Sequence, residues 1–198
     1  MDQSVNARRH QRRRLVPAAI AATLFVLLAG AGTADATWSI VGVDPETGEV
    51  GVAVASCVGF EVTAVPILVP GVGAGASQAL LSGKSGDRFL ESMVAGVDAQ
   101  QVIDAVVAAD GQPDDRQFGA VVLNGSGAGW SGADNTDVSI DRRNADQTAA
   151  SQGNILVDAA VVENALAAFD ATTGSLADRL VAALVAGADS GGDSRCDE

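Results

Sequence analysis

Thr37 has the clearest chemical potential in this sequence, because the segment before it predicts that it becomes the first residue of the mature chain. A terminal threonine offers a hydroxyl nucleophile together with a free α-amine. The reference pKa of that amine, ~7.7–8.0, lets it act as a base near neutral pH. One residue would then supply both nucleophile and base. A cut after Ala31 would instead leave the threonine inside the chain.

Residues 1–36 have the three parts of a secretory signal peptide. A region with five arginines precedes an apolar run over residues 15–28, and the tripeptide that ends at Ala36 fits the cleavage pattern. We therefore expect a cut after Ala36, one domain over residues 37–198, and a secreted or extracytoplasmic location. The apolar run is shorter than the ~20 residues of a spanning helix, so we expect no membrane attachment after processing. The twin-arginine and the general export routes both fit.

Histidine and cysteine usage narrows the possible chemistry. The single histidine, His10, lies in the segment predicted to be removed. The mature chain therefore cannot use a Ser-His-Asp or Cys-His relay, or a zinc site with histidine ligands. Two cysteines in an exported chain, Cys57 and Cys196, predict a disulfide. The alternative, Cys57 as a nucleophile, lacks a histidine to activate it. Neither a metal nor a cofactor is indicated.

The charge balance bears on partners. Residues 37–198 contain seven basic and 23 acidic residues, a net charge of −16. Nucleic acid and anionic lipid are bound through clustered Lys and Arg, so we expect neither as a partner. The acidity fits solubility outside the cell, adaptation to salt, or an acidic binding face. The sequence is also compatible with a homo-oligomer.

Hydrophobic periodicity predicts two groups of strands and two groups of helices. Strands followed by helices indicate an α+β domain, and a four-layer αββα sandwich is one way to cover two sheets with helix pairs. The predicted strands span residues 37–43, 49–56, 62–69, 71–77, 118–123, 127–131 and 138–140. The predicted helices run through residues 89–94, 99–109, 158–171 and 175–186. Residues 151–154 form the most polar interruption of an apolar context.

Four stretches resemble signatures of the family called domain of unknown function 1028. They are TWSIVGVDPETGEVGVAVAS from Thr37, residues 71–79, SQGNIL from Ser151 and GGDSRC from Gly191. This family is grouped with the N-terminal nucleophile hydrolases, so the resemblance implies an αββα sandwich and a terminal threonine nucleophile. Cys57 stands where many relatives have lysine, which matches an exported subgroup with a disulfide. Relatives continue past the last block into one more apolar strand, so the resemblance also implies that a final strand is lacking here.

Two functions follow as hypotheses. The first is a secreted hydrolase of amide or related acyl bonds, with Thr37 as the catalytic nucleophile and a small-molecule or peptide substrate whose identity is unknown. Its candidate substrate-binding or oxyanion groups are Ser77, Gln78, Gly153 and Asn154. The alternative is a non-catalytic secreted binding module on the same fold.

Overall fold

The computed structural model describes residues 37–58 and 62–196. The predicted signal peptide, with its predicted cut after Ala36, lies outside the described residues. In the described ranges the strands are β1 (Thr37–Asp44), β2 (Glu49–Ala55), β3 (Pro66–Val69), β4 (Gly73–Ala79), β5 (Arg116–Val122), β6 (Ser126–Ser131), β7 (Ile140–Arg143) and β8 (Ala149–Asn154). The helices are α1 (Gly83–Val94), α2 (Ala99–Ala109), α3 (Ala160–Ala171) and α4 (Leu176–Asp189).

The strands form two antiparallel four-stranded sheets. The first has the order β2-β1-β8-β7, and the second has the order β3-β4-β5-β6. In the first sheet, β1 pairs with its sequence neighbour β2 and also with β8 from the far end of the domain. This long-range pairing places Thr37 directly opposite Asn154.

Each sheet carries a pair of helices on its outer face. Helices α1 and α2 cover the second sheet, where Phe89 and Phe118 belong to one buried apolar cluster. Helices α3 and α4 cover the first sheet, where Ile40 and Phe169 belong to another. The capping box at Ser175 starts α4 by satisfying backbone N–H groups of its first turn. Burial of these apolar helix faces holds each helix pair on its own sheet.

The space between the sheets is divided into an apolar half and a polar half. Side chains alternate between the two faces of a strand, so every second residue of β1 points at the other sheet. Toward the end of β1 these residues are valines, and they pack in an apolar cluster with small residues of β4 and β8. Where β1 begins, the buried residues are polar. The candidate functional site lies in this polar half.

The prediction of an α+β domain is confirmed: the described residues form two antiparallel sheets and four helices. Three elements differ from the predictions. The strand predicted over residues 138–140 overlaps the observed β7 only at Ile140. The strand predicted over residues 62–69 begins as a 3-10 turn at Val62–Ala64 and becomes a strand at Pro66. The polar interruption at residues 151–154 belongs to a central strand, β8. Among the described residues, no helix has both the length and the apolar character needed to cross a membrane.

Candidate functional site

Buried polar side chains converge between the sheets at the point where β1 begins. Strands β1 and β8 contribute from one sheet, and the end of β4 and the start of β5 contribute from the other. An amide or hydroxyl in such a core costs free energy unless it is hydrogen-bonded, so this layer is a specialised part of the interior. Its most buried members are Thr37, Ser39, Gln78, Gln117, Gln152 and Asn154.

Gln78 links the two sheets at the centre of this polar layer. Its Oε1 accepts a hydrogen bond from Ser39 Oγ at 2.6 Å. Its Nε2 donates to the carbonyl oxygen of Thr37 at 3.1 Å and to Oε1 of Gln117 at 2.8 Å. The main chain of Thr37 is therefore held from the opposite sheet.

The network continues to the far edge of the sheets. Gln117 Nε2 lies 2.9 Å from Ser131 Oγ, and that hydroxyl donates to the half-exposed carboxylate of Asp141 at 2.9 Å. On the other side, Gln152 Nε2 donates to Ser39 Oγ. A connected set of hydrogen bonds of this kind rigidifies its members.

Thr37 itself is 4% exposed and lies in contact with the end of β2. Its Oγ1 donates to Ser56 Oγ at 3.3 Å, which is long for a bond between two hydroxyls. The hydroxyl of Ser56 therefore lies within hydrogen-bonding range of the predicted nucleophile.

A small pocket opens beside Thr37. Its open volume is about 10 Å³, roughly the space of one water molecule. Apolar side chains form most of its wall, while Thr37 and Gln78 supply the polar part. The lining residues are Thr37, Val58, Val62, Val65, Gln78, Ala79 and Leu81.

Both strands that present a carboxamide to Thr37 end in a left-handed residue. Ala79, directly after Gln78, has φ of 66°, and Ile155, directly after Asn154, has φ of 53°. Positive φ is unfavourable for an alanine and more so for a β-branched isoleucine. Residues held in this region cluster at functional sites, where the surrounding structure imposes them.

A buried ion pair fixes the end of β4. Arg116 Nε lies 3.0 Å from a carboxylate oxygen of Asp110, and its guanidinium also donates to the carbonyl of Leu80. Burial disfavours the ionised form of Asp110, but hydrogen bonds from Arg116 and Ser85 outweigh it and hold the pKa of Asp110 below its usual value. This pair anchors the turn that follows Gln78.

The disulfide predicted between Cys57 and Cys196 is present, with a Cα–Cα distance of 5.3 Å. Next to it, the buried carboxylate of Asp193 accepts from the backbone N–H of Cys57 at 2.9 Å and from Arg195 Nη2 at 3.0 Å. Burial disfavours ionisation of Asp193, but these hydrogen bonds prevail and lower its pKa. Because Ser56 precedes Cys57, this cluster fixes the strand end that contacts Thr37.

Metal ligation has one candidate among the described residues. Possible ligand atoms of Cys57, Asp193 and Cys196 lie within 4.8 Å of one another. The two sulfurs are joined in the disulfide, so neither is a thiolate ligand in this state. No metal chemistry is assigned to this cluster.

A second, larger pocket lies at the opposite end of β1. At the usual rise of a strand, that end is about 23 Å from Thr37. Its volume is about 370 Å³, and it is bounded by the β1–β2 turn, the β3–β4 turn and the first turns of α4. Glu49 is the one ionisable residue of its lining. Without convergent polar groups it is a poorer candidate for chemistry than the small pocket at Thr37.

The predicted site residues fall into two sets. Thr37, Gln78 and Asn154 come together in the polar layer. Gly153 lies on the face of β8 that turns to the helices, against Leu156, and Ser77 lies on the helix side of β4 by strand alternation. The roles predicted for these residues remain predictions. Residues that sequence reasoning missed are Ser39, Ser56, Gln117 and Gln152.

Similarity to known proteins identifies the family of this chain. The model of the family of unknown function DUF1028 matches residues 37–198. The chain belongs to DUF1028. A crystal structure of a DUF1028 protein from Silicibacter pomeroyi is similar to this chain at 29% sequence identity and a TM-score of 0.72. The similarity covers 78% of this chain and 71% of that one. No curated protein matches.

Proposed function

We propose that this DUF1028 protein is a secreted hydrolase of amide or related acyl bonds that uses Thr37 as an N-terminal nucleophile. The observation that carries the proposal is the layer of buried carboxamides between the two sheets that contains Thr37, with Gln78 donating to the Thr37 carbonyl. Burying polar side chains between two sheets costs free energy. This layer contains Thr37, which the predicted cleavage would convert into a nucleophile with its own base. The two helix-covered sheets also support the proposed relation to the N-terminal nucleophile hydrolases.

The proposed reaction has two stages. Thr37 Oγ attacks the substrate carbonyl while the α-amine of Thr37 accepts the hydroxyl proton. The amine then returns this proton to the leaving nitrogen or oxygen, which leaves an acyl ester on Thr37. A water molecule, deprotonated by the same amine, attacks that ester and releases the acid, and the proton returns to Oγ. The pocket beside Thr37 has room for one such water.

The hydrogen bonds distinguish among the four oxyanion candidates. Gln78 Nε2 already faces the carbonyl of Thr37, Oε1 of Gln117 and the carbonyl of Gln152. Asn154 Nδ2 donates to Gln117 Oε1 at 3.1 Å, and its second hydrogen is available to an oxyanion, whereas both hydrogens of Gln78 Nε2 already have acceptors. In the proposed reaction Asn154 stabilises the oxyanion, and Gln78 holds the main chain of Thr37.

The proposal is tested by expressing the full chain and analysing the exported material. Intact mass should show Thr37 as the first residue. With p-nitrophenyl acetate we expect a burst of nitrophenolate and an acetyl group on Thr37 that hydroxylamine removes, since hydroxylamine cleaves esters and not amides. Thr37→Ala should lower the turnover by at least about a thousandfold.

The matched control is Thr47→Ala, because Thr47 lies exposed in the β1–β2 turn. This variant should keep the burst and the turnover of the wild type. If the first residue of the exported protein is not Thr37, the proposed nucleophile is absent and the proposal is wrong. Full turnover by Thr37→Ala would do the same and would leave a binding module as the better description.

A further inference from the structure

Asn154 carries a buried oxygen that the described structure leaves without a hydrogen bond. The residue is 1% exposed, and its Oδ1 has no partner. A buried acceptor without a donor loses the hydrogen bond that water would have given it, so each such atom in a native structure needs an explanation. This one lies in the polar layer, on the residue opposite Thr37.

The neighbouring Gln117 fixes which atom of the Asn154 carboxamide is the oxygen. The oxygen and the nitrogen of an Asn carboxamide have nearly the same size and geometry, so their assignment depends on the partner of each atom. Gln117 Nε2 faces the carbonyls of Gly153 at 2.8 Å and Ile140 at 3.1 Å, which can only accept, and two hydroxyls, which can accept, Ser131 Oγ at 2.9 Å and Ser139 Oγ at 3.2 Å. Its Oε1 therefore faces Asn154, and the Asn154 atom toward it must be the donor Nδ2. The oxygen Oδ1 then points away from Gln117.

The strand register brings the nitrogen of Thr37 to Asn154. The N–H of Val43 donates to the carbonyl of Thr148 at 2.9 Å, which identifies this pair as a hydrogen-bonded one. Hydrogen-bonded pairs recur at every second residue of an antiparallel ladder. Counting back along β1 reaches the pair of Thr37 and Asn154, so the nitrogen of Thr37 faces the main chain of Asn154. Paired residues also direct their side chains to the same face of the sheet.

As long as Thr37 is joined to the preceding residue, its nitrogen is a peptide nitrogen with a single hydrogen. The hydrogen bond to the main chain of Asn154 uses that hydrogen, so none is left for Asn154 Oδ1. An amino nitrogen has two hydrogens when neutral and three when charged. We infer that Asn154 Oδ1 is the acceptor for the additional hydrogen that cleavage before Thr37 creates, and that it thereby positions the α-amine. With two hydrogens held by the carbonyl and by Oδ1 of Asn154, the lone pair of the neutral amine points in one fixed direction. The inference rests on the proposed function, because it requires that cleavage.

The test measures the pKa of the α-amine of Thr37. Exported protein labelled with ¹³C-threonine is titrated by NMR, with Thr37 assigned as the resonance lost in Thr37→Ala. A hydrogen bond from the ammonium to Oδ1 favours the charged form, so Asn154→Leu should lower this pKa by about one unit. Asn154→Asp should raise it by about one unit or more, because a carboxylate would face the ammonium.

Gln152→Met is the matched control. Gln152 lies on the same face of β8, two residues earlier, and its Oε1 is also buried without a partner, but it stands opposite Ser39. This variant should leave the pKa within about 0.3 units of the wild type, by the same reasoning about direct contact. Equal shifts in Asn154→Leu and Gln152→Met, or none in either, would overturn the inference.

Folding and processing failures are separable from failure of the inference. If Asn154→Leu does not fold, Asn154→Asp decides: a raised pKa supports the inference and an unchanged one overturns it. If mass analysis of the wild type shows a first residue other than Thr37, the proposed function fails and the inference with it. If Thr37 is the first residue but the pKa of its α-amine is the same in the Asn154 variants as in the wild type, the inference alone fails.

Discussion

Asp193 makes the stability of this protein depend on pH in a definite direction. Its pKa in the folded state lies below the ordinary value because hydrogen bonds to the ionised carboxylate outweigh the effect of burial. A group of this kind contributes stability above its unfolded pKa of ~3.9, and the contribution is lost as the pH falls through the lower folded value.

Asp193→Asn should therefore reduce the free energy of unfolding at pH 7 by about 1–3 kcal/mol, since Arg195 and the N–H of Cys57 lose a charged acceptor. The deficit should shrink as the pH falls below about 4, where the wild type loses the same contribution. Urea unfolding between pH 3 and 7 measures both effects. Asp146→Asn, at an exposed turn position, is the control and should change little. A deficit that stays constant over this range would contradict the argument.

Some residues of the polar layer are within reach of sequence reasoning and others are not. Thr37 follows a predicted cleavage site, and Gln78 and Asn154 are polar residues in conspicuous contexts. Gln117 and Gln152 gain their significance from strand pairing and sheet stacking, which join residues far apart in the chain. No local pattern marks such a residue, because its partners are set by the tertiary structure.

At the scale of elements, β8 shows why a central strand escaped prediction. A strand buried on both faces normally has a continuous apolar sequence. Every residue of β8 is buried, yet half of its length is polar, because one face meets the carboxamide layer. The polar layer between the sheets thus removes the apolar pattern by which a buried strand is recognised.

Strand β5 approaches β8 closely at Gly119. A Cβ at this position would collide with the carboxamide of Gln152. Gly119→Ala should displace that side chain from Ser39 and reduce the free energy of unfolding by about 1–3 kcal/mol. Thermal or urea unfolding measures the change, and the loss of the Gln152 contact should also lower any turnover on p-nitrophenyl acetate.

Gly86→Ala is the control for this prediction. Gly86 lies within α1, and nothing within 4 Å would meet its Cβ. Alanine favours a helix over glycine by up to about 1 kcal/mol, so this variant should be neutral or more stable. Equal stability of the two variants would show that Gly119 is not needed for the approach of the sheets.

On the scale of the whole molecule, the class of fold was predictable and the arrangement was not. Turn residues and periodicity identify two strand groups and two helix groups. The order of strands in each sheet depends on pairings such as β1 with β8, whose members are more than a hundred residues apart. The division of the space between the sheets into a polar and an apolar half appears only once both sheets are stacked.

The disulfide closes a loop between residues separated by 139 positions. In the chain-entropy account, a crosslink over a loop of this length stabilises the folded state by up to about 5 kcal/mol. The double variant Cys57→Ser with Cys196→Ser should therefore lose about 2–5 kcal/mol in urea unfolding. Wild type treated with a reducing agent should show a similar loss. A loss below about 1 kcal/mol would mean that Asp193 holds this region without the crosslink.

The position of the disulfide also has a consequence for the biosynthesis of the protein. Cys196 is translated after all the strands and helices described above, and it must meet Cys57, whose neighbour Ser56 touches Thr37. Covalent closure beside Thr37 is thus a late event in the maturation of each molecule. A thiol-blocking reagent added during synthesis should accordingly yield chains in which both sheets have assembled but the end of β2 is not crosslinked to Cys196.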